Sequence, residues 1–188
     1  MFTKFPTSVI GPGDPIPIDE TLTERVDWEV ELAAVIGRRL RRVDADEALT
    51  GVLGYTIAND VSARDLQFSD GQWVRAKSLD GFCPLGPVIV TADEIPDPQR
   101  LGLRTIVNGE TMQDSTTAEM LFGVAQLIEF CSRSFTLEPG DVILTGTPWG
   151  CGEFMEPRRS LHPGDRVEVS IEGIGSMTNP VVASGASG

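Results

Sequence analysis

Between Asp27 and Leu32 the chain alternates without a break: Trp28, Val30 and Leu32 are apolar, and the residues between them are Glu29 and Glu31. Period-two alternation predicts a strand, and Ala33-Ala34-Val35-Ile36-Gly37 carries it on to residue 37 as a stretch with the look of a buried one. Residues two apart on a strand project to the same side, so both carboxylates aim at one spot. Like charges side by side repel and resist desolvation. Either a positive group sits between them, a divalent cation being the simplest, or this is a solvent-facing strand that happens to be acidic.

The same patterning places the other elements. The first twenty residues, rich in Pro and Gly, read as an extended loop with turns. Asp44 with Glu47 marks a short helix start capped by Asp44. Residues 52–60 read as a strand ending on Asp60, and 87–91 as another. Asn108-Gly109 between Leu103–Val107 and Glu110–Gln113 is the strongest short hairpin signal. Thr116 and Glu119 form a capping box, after which Met120, Leu121, Val124, Leu127, Ile128 and Cys131 recur at helical spacing as a core-facing stripe. Two Pro-Gly-Asp turns, at 139–141 and 163–165, lead into strands at Val142–Leu144 and Val167–Ile171.

Composition narrows the class. At 188 residues with 40% hydrophobic and 23% charged positions, the chain is ordinary for one globular domain, expected over 1–182 with a flexible tail at 183–188. Twenty glycines and 13 prolines suit a turn-rich, mainly β fold with few helices (α+β) better than a bundle. A net charge of −13 argues against nucleic-acid or anionic-membrane partners. Cys83, Cys131 and Cys151 are odd in number and far apart, so reduced, buried thiols in a cytoplasmic protein are the default. No apolar run approaches the roughly 20 residues of a membrane span.

Asp60 supplies a third acid beside the pair. Three carboxylates with no histidine or thiolate specify a hard cation, Mg²⁺ (or Mn²⁺ or Ca²⁺), whose open positions a substrate oxygen can take. The nearby positive residues are Arg64 and Lys77. Gly146-Thr147-Pro148-Trp149-Gly150-Cys151-Gly152 follows a strand end, where glycine-rich backbone and the Thr147 hydroxyl can face a carboxylate. The one histidine, His162, stands in a turn far along the chain and reads as an exposed turn residue.

These stretches resemble the fumarylacetoacetate hydrolase family, specifically its smaller bacterial acylpyruvate-type members. The resemblance is carried by Asp27–Leu32, Gly54–Asp65, Lys77–Pro87, Val107–Glu110, Gly140–Pro148, Pro163–Asp165 and Gly173–Gly175, in the family's order. It implies a mixed β-sandwich roll, usually dimeric. It also implies Glu29, Glu31 and Asp60 as metal ligands and Lys77 in the active site, with Arg64 and Gln67 as polar contacts. Gly146 and Thr147 would contact the substrate carboxylate. Family members cleave, isomerise or decarboxylate small anionic 2-oxo acids and their enols. C–C-hydrolysing members carry a His–Glu dyad in an Asn-Tyr-x-x-His-x-x-Glu segment, which this sequence does not contain. The expectation therefore leans to isomerisation (tautomerisation) or decarboxylation through a stabilised enolate, with hydrolysis if the dyad is supplied. The alternative is a catalytically impaired metal- or ligand-binding protein.

Overall fold

The computed structural model describes residues 1–185. Among the described residues there are twelve strands and four short α-helices. The strands are β1 (Val9–Ile10), β2 (Ile16–Ile18), β3 (Val26–Asp27), β4 (Val30–Ile36), β5 (Val52–Asn59), β6 (Ser62–Ala63), β7 (Cys83–Thr91), β8 (Gly102–Val107), β9 (Glu110–Thr116), β10 (Val142–Leu144), β11 (Arg166–Ile171) and β12 (Gly175–Ala183). The helices are α1 (Ala45–Ala48), α2 (Arg64–Asp70), α3 (Val74–Lys77) and α4 (Val124–Ser134). One mixed sheet runs β1-β7-β5-β4-β10 and a second runs β2-β12-β11-β8-β9, with β3 and β6 paired apart from both. This is the mainly β, mixed-sheet roll that the resemblance implied. Among the described residues no helix is long and apolar enough to cross a membrane.

Strand β4 is buried at every position, and β5 at all but Leu53, because they are central strands covered on both faces. Trp28, Leu32, Ile36, Tyr55 and Ile57 supply much of that core. β4 and β5 run antiparallel, Glu31 opposite Ala58 and Val30 opposite Asn59, so the start of one and the end of the other lie at the same end of the sheet. The β8–β9 hairpin forms as the Asn108-Gly109 signal predicts, with φ of 52° and 84° at its two turn residues.

Several details differ from the sequence reading. The first twenty residues are not all loop, since β1 pairs in parallel with β7 and β2 with β12. Ile16 and Ile18 are buried on either side of Pro17, and a proline is tolerated there because β2 is an edge strand. Helix α1 starts where expected, but the Asp44 side chain makes no capping bond. The long helix begins at Val124, later than the Thr116 box suggests. Thr116 caps only a single 3₁₀ turn at Thr117–Glu119, and Met120 is extended. Gln99 fixes the interruption, its amide donating to Thr117 O (3.0 Å) and accepting from Val124 N (2.7 Å). Leu121 is thereby left 92% exposed, while Val124, Ile128 and Cys131 face the core. At the far end Ala183 still pairs with Ile18, and Ser184 N donates to Ile18 O (2.7 Å). Residues 186–188, the rest of the expected tail, lie outside the described residues.

Candidate functional site: a buried carboxylate cluster

Because β4 starts where β5 ends, the three acids converge. Glu29 stands just before β4, Glu31 is its second residue and Asp60 follows β5 directly; Asp60 N donates to Glu29 O (2.8 Å). Their carboxylate oxygens include one from each residue within 4.8 Å of the others. All three are buried, at 7%, 3% and 1% exposure, which removes the solvent-facing alternative. One hard cation with metal–oxygen distances of about 2.1–2.5 Å spans oxygens roughly 4–5 Å apart, so the donor set fits such an ion.

Three cations surround the acids. Lys77, at the end of α3, places Nζ 2.8 Å from Glu29 Oε2 and 2.9 Å from Asp60 Oδ2. Arg64 opens α2, and its Nε donates to Asp27 Oδ2 (2.9 Å) while Nη1 donates to Gln67 Oε1 (2.9 Å). Its Nη2 lies 2.5 Å from Glu29 Oε1 but off the hydrogen-bonding line, so it is a buried donor with charge contact only. Lys4 reaches in from the N-terminal segment to Asp60 Oδ1 (2.6 Å) and to the Lys77 carbonyl. Nothing in the sequence pattern marked Lys4, because its contact spans 56 positions.

Burial raises the pKa of Glu31 well above the carboxylate range, and the neighbouring Asp60 and Glu29 charges push the same way. Glu29 is also raised, burial winning over the pull of Lys77 and Arg64. Burial alone would lower Lys77 and Arg64, but the carboxylates they touch raise both. Burial, with Glu29 and Asp27 adding to it, pushes the Cys151 thiol up to about 12, so it stays protonated and is a poor nucleophile.

Without a divalent ion, stability is expected to fall as pH rises through the raised Glu31 value. Above the ordinary 4.5 the folded protein holds a proton the unfolded chain has lost. That contribution is complete below the unfolded value and disappears as pH climbs through the folded one. Thermal denaturation with chelator, scanned from about pH 5 to pH 8, should show the decline. Saturating Mg²⁺ should flatten it, and a flat profile in chelator would overturn the argument.

The loop after β10 completes the site. Thr145 N and Oγ1 both bond to Leu32 O (3.1 and 2.8 Å), continuing the β10–β4 pairing. Gly146 N then donates to Glu31 Oε2 (2.6 Å), and the Thr147 hydroxyl donates to Val30 O (3.0 Å). Two groups missed in the sequence hold this arrangement. Gln113, fully buried on β9, donates from Nε2 to Thr147 Oγ1 and Pro148 O (2.8 and 2.9 Å) and accepts from Val30 N (3.1 Å). Asp27 accepts from Trp28 N, Gly152 N, Glu153 N and Arg64 Nε at 2.7–3.1 Å. Asp27 lies in a stretch that carries the resemblance, but nothing there gives it a role, and nothing marks Gln113, since a Gln on a strand and an Asp before a Trp are common. His162 is exposed in its turn, where its N–H donates to Asp165 (2.7 Å).

A cavity of about 520 Å³ opens beside the cluster, lined by Glu29, the Thr147–Cys151 loop, Phe154 and Met155. A larger one of about 620 Å³ shares Thr147–Trp149 but is lined by none of the three acids. Of the two, only the smaller is lined by a member of the carboxylate cluster, while Gly146 lines the larger.

Fold and cluster together define a β-roll protein with a carboxylate centre suited to a hard cation. The chain belongs to the fumarylacetoacetate hydrolase C-terminal family, whose model matches residues 1–182. It is 48% identical over 184 residues to the mitochondrial oxaloacetate tautomerase fahd2 of Xenopus laevis, covering 97% of this chain and 57% of that protein. The structure of fumarylacetoacetate hydrolase from Exiguobacterium antarcticum superposes with a TM-score of 0.95 at 51% identity, over 97% of this chain and 65% of that one. The 2-hydroxyhepta-2,4-diene-1,7-dioate isomerase from Mycobacterium marinum gives 0.90 at 49%, over 98% and 69%. The chain thus spans little more than half the length of the curated relative.

Proposed function

We propose that this chain is a divalent-cation-dependent tautomerase or isomerase of small 2-oxo acids and their enols. The observation that carries the reading is the buried convergence of Glu29, Glu31 and Asp60 with the Lys77 ammonium beside them. The names of the relatives favour a proton shift over the other reactions that branch from an enolate. Glu29, Glu31 and Asp60 would hold the ion, Mg²⁺ or Mn²⁺ by the all-oxygen donor set. A hard cation bound there supplies Lewis-acid stabilisation of negative charge on the substrate's keto oxygen.

The remaining roles fall to the protein's own groups. Gly146 and Thr147 would contact the substrate carboxylate, Gly146 N–H exchanging its bond to Glu31 and the Thr147 hydroxyl its bond to Val30 O for one to the ligand. Lys77, whose Nζ lies 2.8 and 2.9 Å from the Glu29 and Asp60 carboxylates, would move the proton: C3 gives one up as the keto oxygen gains one, and the reverse step restores the ketone. Arg64 fixes Glu29, and Gln67 fixes Arg64. Burial excludes bulk water and strengthens each of these interactions. A homodimer accompanies this reading through the family resemblance.

Adding the protein to freshly dissolved enol-oxaloacetate should accelerate loss of the enol absorbance in Mg²⁺ or Mn²⁺, and chelator should remove the acceleration. Equal rates with and without protein would reject the proposal.

A further inference from the structure

We propose that Lys4 is a positioning residue of the reaction: by bonding both Asp60 and the Lys77 carbonyl, it sets where the Lys77 ammonium stands. This rests on the proton-moving role given to Lys77 above and adds the group that places it. Lys4 Nζ donates to Asp60 Oδ1 (2.6 Å) and to the Lys77 carbonyl oxygen, with Val61 O as a third, longer acceptor (3.4 Å). Lys77 Nζ in turn donates to the other oxygen of Asp60 (2.9 Å). The two lysines thus close a loop of bonds through one carboxylate and one carbonyl. Lys77 is held at both ends, by its backbone and by its ammonium. The Lys4 side chain is only 8% exposed. A compact ammonium with three donors suits acceptors on three separate segments better than a planar guanidinium does.

Helix α3 needs such a brace. It is four residues long, and a single helical turn is not stable by itself. Residues 2–5 fasten both of its ends. Phe2 packs on Trp73, the residue before α3, with ring centres 5.7 Å apart, and its ring centre lies 5.1 Å from Lys77 Nζ. Ser78, the residue after α3, accepts at Oγ from Phe5 N (3.1 Å) and donates to Thr3 O (3.4 Å). The two peptide groups flanking Lys4 are therefore both bonded to Ser78, which delivers the Lys4 side chain to the Lys77 carbonyl in fixed register. Charge balance alone does not account for that bond, since Asp60 already has Lys77 as an ionic partner.

Steady-state kinetics of Lys4→Met on enol-oxaloacetate in saturating Mg²⁺ should show kcat lowered about 10- to 100-fold, the scale on which a misplacement of about 1 Å acts. KM should change by less than about threefold, because binding is left alone. Mg²⁺ affinity, measured by calorimetric titration, should hold or tighten, one positive charge having left the neighbourhood of Asp60. In a Lys77→Met background the same substitution should cost no further rate, since its effect passes through a group already removed. In the ion-free protein, NMR of the lysine ammonium groups should show the Lys77 signal shifted or broadened by Lys4→Met. Ser78→Ala cuts the two bonds to the segment and leaves every charge in place, so it should lower kcat in the same sense by a smaller factor. It decides the matter if Lys4→Met does not fold. Unchanged kcat in the variants, losses that multiply in the double variant, or weaker Mg²⁺ binding each overturn the positioning role, and the functional reading then stands as long as Lys77→Met alone slows the reaction. If Lys77→Met leaves the rate intact, that reading falls, and the NMR signal decides whether Lys4 places Lys77.

Discussion

Replacing Lys77 with methionine is expected to lower the rate of Mg²⁺-dependent enol–keto conversion by about 10²–10⁴-fold, the usual worth of a positioned proton donor or acceptor. Methionine matches the length of the apolar stem and keeps the α3 packing, so the lost element is the ammonium. Ion binding should move the other way. Lys77 Nζ lies within hydrogen-bonding distance of both Glu29 and Asp60, and a divalent ion at those oxygens must contend with its charge. Removing it should leave Mg²⁺ affinity unchanged or tighter. Rate and affinity moving in opposite senses separates a proton-transfer role from a merely structural one. A rate within threefold of the parent's, or weaker ion binding, would refute the assignment.

Asp27→Ala carries the largest expected loss of stability, about 3 kcal/mol, near the low end for breaking a buried ion pair. Its carboxylate accepts four N–H groups, one from the Arg64 guanidinium and two from the loop at Gly152 and Glu153. Alanine strands the Arg64 charge with Glu29 as its remaining carboxylate partner and unfastens the loop that bears Phe154. Asp27→Asn retains an acceptor oxygen without the charge and should fall between. Denaturant midpoints at fixed pH measure both. A loss under about 1 kcal/mol for alanine would show that the network does not depend on this residue.

The carboxylate centre was legible because local patterning carried it. Alternation around Glu29 and Glu31 and an apolar run ending on Asp60 are short-range signals, and antiparallel pairing of those two runs brings their acidic ends together. The β8–β9 hairpin was readable for the same reason, through turn chemistry at two residues. Whatever depends on distant partners was not. Lys4 reaches Asp60 56 positions away, Asp27 reaches Arg64 and Gly152 37 and 125 positions away, and Gln113 reaches Thr147 34 positions away, and nothing near them in the chain announces it. The late start of α4 belongs here too, since the deciding group is Gln99, 25 residues earlier. Edge strand β2 escaped notice because Pro17 argues against a strand until its place at the sheet margin is known.

Strand β4 is covered on both faces, so greasy side chains do little to fix its alignment with β5: a slip of one position would still bury hydrocarbon. The polar clasps distinguish right from wrong, with Asn59 gripping the Glu29 amide and Gln113 and Thr147 holding the two ends of the Val30 peptide. The groups that hold the carboxylate cluster together therefore also favour this strand register, and a misaligned chain would not bring the three acids to one point.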